Sequence, residues 1–325
     1  MSAPQRLLPR RSERTITATL AGPRPVPRVR VLRRSSIQRR RTRTAAAFLA
    51  PASLVLGVFV LYPMLDALRA SFTDARIIGP ADWVGLANYA ELLADDRFWN
   101  ALWNTALYAV VTAPLSVAIA LGLALMLNRA VPARLLFRAI IFFPFVTSLS
   151  LVSIAWAFLF DPQVGTAAAW LSQVGLPIGN GINDPQWAMP AVMLVGIWRN
   201  IGFFMVMFLA GLQSIPRELK EAAAVDGAAG FRHFRTMTWP LLANTTMFVV
   251  VIAAIFAFQA FDQMYVMTGG GPFFSTETLV MYIYDTGFEQ YRTGYASAVS
   301  WALVLVVLTI SIGQLWYFRK RAVQY

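Results

Sequence analysis

The side chains that could do chemistry here are few, and most of them sit inside long apolar runs. Arg199, followed by Asn200, lies about 12 residues into the run Trp187–Leu212. That depth is about 18 Å along a helix, close to the middle of a bilayer. Gln259, Asp262 and Gln263 fall at i, i+3, i+4 spacing in another apolar run, with Phe258 and Phe261 beside them. One helical face would then carry hydrogen-bonding groups next to aromatic rings, a surface suited to carbohydrate. Polar and charged groups at membrane depth mark solute pathways, but they also serve as internal pairs and as polar links between helices. Thr147, Ser148, Ser150 and Ser153 are small hydroxyl residues of the kind that mostly serve packing. The single histidine, His233, has no ligand-type neighbours, and the chain has no cysteine, so thiolate chemistry is excluded.

The elements that must hold these groups follow from hydropathy. The chain has 325 residues, 58% of them hydrophobic and only 14% charged, with mean hydropathy +0.56. That is too little charge to cover a soluble surface. A membrane crossing needs about 20 apolar residues. Six runs meet the requirement: Ala46–Leu68, Ala101–Leu127, Phe137–Phe160, Trp187–Leu212, Leu241–Tyr265 and Ala296–Phe318. Pro63, Pro114, Pro144 and Pro190 fall inside them and predict kinks. The sequence therefore predicts an all-α integral membrane protein of six transmembrane helices. Residues 1–44 are rich in Arg, Pro, Ser and Thr and predict a disordered tail; residues 45–325 form one membrane domain.

Thirteen of the 28 basic residues lie between Arg6 and Arg43, opposed only by Glu13. A net charge of +12 would raise the question of nucleic acid in a soluble protein. Here the cations mark topology instead: they recur at Arg129, Arg134 and Arg138, at Arg217, Lys220, Arg232 and Arg235, and at Arg319 to Arg321. By the positive-inside rule both termini and the loop 213–240 are cytoplasmic.

That loop reads Gln213-Ser214-Ile215-Pro216-Arg217-Glu218-Leu219-Lys220-Glu221-Ala222-Ala223-Ala224-Val225-Asp226-Gly227-Ala228. Pro216 at a first helical position, helix formers through Ala224 and Gly227 as a stop predict a short helix with one apolar side. A second is predicted from Phe231 to Thr238, ending at Pro240. The segment resembles the inner-membrane permeases of binding-protein-dependent ABC importers, whose signature is E-A-A-x3-G-x9-I-x-L-P. Glu221-Ala222-Ala223, Gly227 and Pro240 fall in place, while Met237 and Trp239 stand for the usual Ile and Leu. Leu209-Ala210-Gly211-Leu212-Gln213, Val225-Asp226-Gly227-Ala228, Thr268-Gly269-Gly270-Gly271-Pro272 and Tyr282-Ile283-Tyr284 extend the likeness to the carbohydrate-uptake branch, which includes maltose-type and glycerol-3-phosphate-type permeases.

The resemblance implies a type I ABC importer permease fold in a bacterial inner membrane, working by alternating access. It implies that the loop is a coupling helix seated in a partner ATPase, with Glu221, Ala222, Ala223, Asp226, Gly227 and Pro240 as its functional positions. The partners it implies are a second homologous permease, an ATP-binding cassette ATPase dimer and an extracytoplasmic substrate-binding protein. The chain's two lysines, Lys220 and Lys320, do not follow a glycine, so no P-loop is present and ATP with its Mg belongs to the partner. Gly269-Gly270-Gly271-Pro272 reads as a tight external turn rather than a phosphate cradle. An intramembrane enzyme, a third class, would need a catalytic constellation, and no paired carboxylates, His cluster or Ser/His arrangement lies in the spans. An ion-gradient-driven secondary transporter is the competing class; it calls for inverted repeats and intramembrane carboxylates, and neither is clear.

Overall fold

The computed structural model describes residues 36–129, 132–173, 181–216, 218–219 and 230–319. The chain divides into two compact units, residues 1–59 and 60–325. Among the described residues it is helical, with no strand and a single bridge between Thr73 and Trp83. In the first unit α1 spans Ser36–Leu56, and its apolar side chains, Phe48 and Leu54 among them, are exposed. Residues 36–44 are therefore helical rather than part of a disordered tail. Arginine is a good helix former, and a run of it adjoining an apolar helix extends that helix at little cost.

The second unit holds α2 (Tyr62–Ala70), α3 (Ala87–Ala94), α4 (Asp96–Leu127), α5 (Arg134–Val146), α6 (Leu149–Leu159), α7 (Thr166–Gln173) and α8 (Pro185–Ser214). It continues with α9 (Ala243–Phe258), α10 (Asp262–Met267), α11 (Leu279–Tyr284) and α12 (Thr293–Arg319). Five stretches are long and apolar enough to cross a membrane: Gln38–Ala70, Asp96–Leu127, Pro185–Ser214, Ala243–Met267 and Thr293–Phe318. These match five of the six predicted runs. The remaining run, Phe137–Phe160, is not one helix: α5 and α6 meet at 96°. Thr147 and Ser148 adopt extended backbone between them, and the Thr147 hydroxyl donates to the Pro144 carbonyl at 2.8 Å. Proline at 144 removes a ladder donor, and the helix ends two residues later. Pro114 and Pro190, by contrast, lie inside helices that continue past them.

The pair α4 and α8 forms the spine of this unit, with α9 and α5 packed against it and α12 packed on α9. Its core is built from small and apolar residues facing one another, Ala101, Ala109, Ala120 and Ala124 of α4 against Val192, Val195, Met205 and Phe208 of α8. The opposite faces of the helices expose Val110, Leu115, Leu194 and Val206, as helices bathed in hydrocarbon do.

Beyond α8, Pro216, Glu218 and Leu219 of the predicted coupling helix are described, Pro216 outside any helix and the other two helical. Glu221, Ala222, Ala223, Asp226 and Gly227 lie outside the described residues. Further on, helical turns run from Gly230 through a π-helical segment, Phe234–Thr238, to Leu241. The predicted second helix thus does not stop at Pro240. Pro240 sits in the first turn of Trp239–Leu241, where a missing amide costs nothing. The glycine run is the tight turn expected of it: Gly269 and Gly270 take φ of +57° and +79°, and the Gly271 amide donates to the Thr268 carbonyl at 3.0 Å.

Candidate functional site

Two helix breaks fall at the same place. The first is Thr147–Ser148, between α5 and α6. The second is Ala260–Phe261, between α9 and α10, where Phe261 adopts φ −140° and ψ −58°. Broken backbone at membrane depth is tolerated only where it lines a cavity or is buried in protein. Both conditions are met. The Ala260 carbonyl accepts the Thr278 hydroxyl at 2.9 Å, and the Ser150 hydroxyl at the start of α6 donates to Asp262 Oδ1 at the start of α10 at 3.1 Å. Between the breaks lies a pocket of about 220 Å³ whose lining includes Tyr108, Phe145, Gly196, Phe256 and Phe261.

All five predicted pathway residues, Arg199, Asn200, Gln259, Asp262 and Gln263, line this one pocket. Arg199 is the fifteenth of the thirty residues of α8, and its guanidinium stands 4.9 Å from the ring centre of Phe145. Phe145 in turn stacks on Phe203 at 4.4 Å, so one wall is a sheet of rings. Gln263 is buried and its amide donates to the Tyr108 hydroxyl at 2.7 Å. The pocket also holds hydrogen-bonding groups with nothing to bond: Arg199 Nε, Asn200 Oδ1 and Gln263 Oε1 are buried without a partner. Orphaned polar atoms of this kind are costly, and three around one cavity are what a hydroxylated or anionic solute would satisfy.

The predicted reason for grouping Gln259, Asp262 and Gln263 is corrected by the structure. They do not share one helical face, because the helix stops between them: Gln259 caps α9 and the other two open α10. The break, not a 3.6-residue period, turns all three toward the pocket. Phe258 points elsewhere, into a separate apolar groove of about 860 Å³ between α4, α9 and α12 that also takes Pro240. Ser153 is buried with an unpartnered hydroxyl, and His233 lines a small cavity near Arg129.

Sequence reasoning missed Tyr108 and Gly196. A Cβ on Gly196 would lie 1.9 Å from the Tyr108 hydroxyl oxygen, so glycine is what lets α4 and α8 approach closely enough for the Tyr108–Gln263 bond. A tyrosine in mid-span was a signal of the same sort as Arg199; the glycine offered none. Also unforeseen is a cluster at the N-terminal end of α4, where Arg97 pairs with Glu277 at 2.6 Å and with Asp285 at 2.7 Å. Beside it Asp95 accepts from Tyr282 and, at 2.7 Å, from Tyr295. Burial pushes the Asp95 carboxyl up, but the two phenols and the backbone amide of Arg97 outweigh it and hold it below the ordinary carboxylate range.

Comparison with known proteins agrees with this architecture. Residues 89–321 match the family described as binding-protein-dependent transport system inner membrane component. The sulfoquinovosyl glycerol transport system permease protein SmoG of Agrobacterium fabrum is 36% identical over 270 residues, covering 82% of this chain and 87% of SmoG. The sn-glycerol-3-phosphate transport system permease protein UgpA of the same organism is 34% identical, covering 84% and 93%. Among solved structures, a bacterial alginate ABC transporter in complex with alginate pentasaccharide-bound periplasmic protein has a chain of the same fold, with TM-score 0.76, 22% identity and coverage of 89% and 98%. With the family matched over most of its length, the chain is a multi-pass membrane protein that belongs to the inner-membrane components of binding-protein-dependent transport systems.

Proposed function

We propose that this permease moves a sugar or a glycerol-phosphate-like solute into the cell through the pocket around Arg199, by alternating access, and that a separate ATPase drives it through the loop 213–240. The observation that carries the reading is the convergence of five polar side chains and two helix breaks on one pocket beside the middle of α8. SmoG and UgpA, named for a sulfonated sugar glycoside and for glycerol 3-phosphate, support a small hydroxylated solute. The E-A-A spacing of Glu221, Ala222, Ala223 and Gly227 supports coupling, with Asp226 and Pro240 completing the loop. The missing P-loop supports ATP and Mg being held by the partner. The distribution of basic residues supports a cytoplasmic side for both termini and the loop. The working assembly then contains a second, homologous permease, an ATPase dimer and an extracytoplasmic binding protein, all in or on the inner membrane.

The test is co-purification of the tagged chain in mild detergent from its own host. An ATPase and a second permease are expected to come down with it, and Glu221→Ala is expected to release the ATPase while membrane insertion stays normal. A chain that purifies alone and supports uptake driven by an ion gradient would overturn the reading.

A further inference from the structure

A second cavity stands above the central pocket. It holds about 500 Å³, and its lining includes Arg97, Tyr265, Glu277, Tyr284, Asp285 and Glu289. Arg97 precedes Tyr108 of the central pocket by eleven residues on α4, about 16 Å along the helix axis. Aromatic rings join the two. Phe261 of the central pocket stacks on Tyr265 with centroids 5.2 Å apart, Tyr265 meets Tyr284 edge-on at 5.3 Å, and Tyr284 stacks on Phe288 at 5.4 Å. Phe288 is 63% exposed, so the row of rings leads from the protein surface to the solute pocket. Ring faces on one side and oxygen acceptors on the other are what a pyranose needs, its C–H face against the rings and its hydroxyls on the carboxylates.

Charge decides which solute this cavity admits. Arg97 is turned toward the carboxylates: besides its contacts to Glu277 and Asp285 through Nη2, its Nε donates to Glu277 Oε2 at 3.0 Å, and its guanidinium lies 4.3 Å from the ring centre of Phe274. One guanidinium faces three carboxylates, those of Glu277, Asp285 and Glu289. Burial raises the pKa of Glu277 against the pull of Arg97, yet a neutral Glu277 still leaves the cavity net negative. A phosphate or sulfonate meets a net like charge here, and the one guanidinium already faces carboxylates. The central pocket offers acceptors that a sugar hydroxyl can satisfy, Asn200 Oδ1 and Gln263 Oε1, beside the unpartnered donor Arg199 Nε.

We infer that the cavity at Arg97 is a second solute subsite, shaped for an uncharged sugar ring and closed by its own charge to anions. This rests on the central pocket being the solute site, and the experiment separates the two. Full-length protein in lipid nanodiscs would be studied by saturation-transfer NMR with maltose and with sn-glycerol 3-phosphate as probes. Maltose is expected to bind, and glycerol phosphate to bind about tenfold more weakly, the size of a like-charge penalty near a protein surface. Tyr265→Ala with Tyr284→Ala should cut maltose binding roughly fivefold, the worth of two ring contacts, while the paired Tyr→Phe changes retain it. Asp285→Asn with Glu289→Gln should narrow the gap between the probes. Equal or tighter binding of glycerol phosphate, or maltose binding unmoved by the paired Tyr→Ala changes, overturns the subsite. If those changes act but Arg199→Gln does not, the central pocket reading fails and the subsite stands. No transfer to either probe removes both.

Discussion

Replacing Gly196 by alanine tests the packing that makes the central pocket. The new Cβ would lie 1.9 Å from the Tyr108 hydroxyl oxygen and 3.1 Å from Tyr108 Cζ. Since the phenol is buried between α4 and α8, it must shift by more than an ångström, which breaks its bond to Gln263. Overpacking costs about 1–3 kcal/mol, and stranding the Gln263 amide costs about 1–3 kcal/mol more. Better helix propensity returns about 1 kcal/mol, leaving a net loss of roughly 1–5 kcal/mol. Tyr108→Phe alone strands the same amide, at about 1–3 kcal/mol, but removes the atom that the Cβ would strike. In that background the alanine meets only the ring carbon and should cost about 1 kcal/mol or less. The two substitutions are therefore expected to be less than additive by about 2 kcal/mol. Denaturant titration in mixed micelles measures each unfolding free energy without relying on reversible heat unfolding. A coupling energy within about 0.5 kcal/mol of zero, the scatter of independent sites, would refute the contact.

The break in the fifth span and the acid cluster give further expectations. Thr278→Val keeps the shape but withdraws the donor from the Ala260 carbonyl, and should destabilise the protein by about 1–3 kcal/mol, with Thr278→Ser milder; equal stability of Val and Thr would show that the carbonyl is satisfied some other way. Asp95, whose pKa is lowered in the fold, contributes stability that is present above its unfolded pKa near 4 and is lost as pH falls through its folded value. Tyr282→Phe removes one of its donors and so raises the folded pKa, and the acid loss should be smaller and end at a higher pH; unfolding free energies measured across the acid range check this, and an unmoved curve would sink it.

Hydropathy made the long helices legible because hydrocarbon leaves the backbone few options. It could not reveal the 96° bend between α5 and α6, since both halves are equally apolar and hydropathy carries no direction. Pro144 was the one local clue, and it reads equally well as a kink. The polar residues of the pocket were legible for a simple reason: Arg199, Asp262 and Gln263 are expensive in lipid and must face something. They line one pocket, but the shared helical face read for the fifth span was not the reason, because the helix breaks at Ala260–Phe261, where the Ala260 carbonyl is satisfied by Thr278, a residue beyond the span. Arg97 and Glu277 lie 180 residues apart, and no local pattern connects them. The start of α1 at Ser36 shows the opposite limit, where charge was read as disorder although arginine is at home in a helix.

The bent pair has a consequence for how the protein is made. At 1.5 Å per residue the 13 residues of α5 reach about 20 Å and the 11 of α6 about 17 Å, against a hydrocarbon thickness of about 30 Å. Neither half crosses the bilayer alone, and the turn between them exposes amides and carbonyls that lipid cannot satisfy. What shelters that turn, the packing of α5 against α8 and of α6 against α10, is synthesised later. The segment is therefore expected to insert as a single span and to take its bend only once the chain has reached Asp262, so that its shape is acquired during assembly.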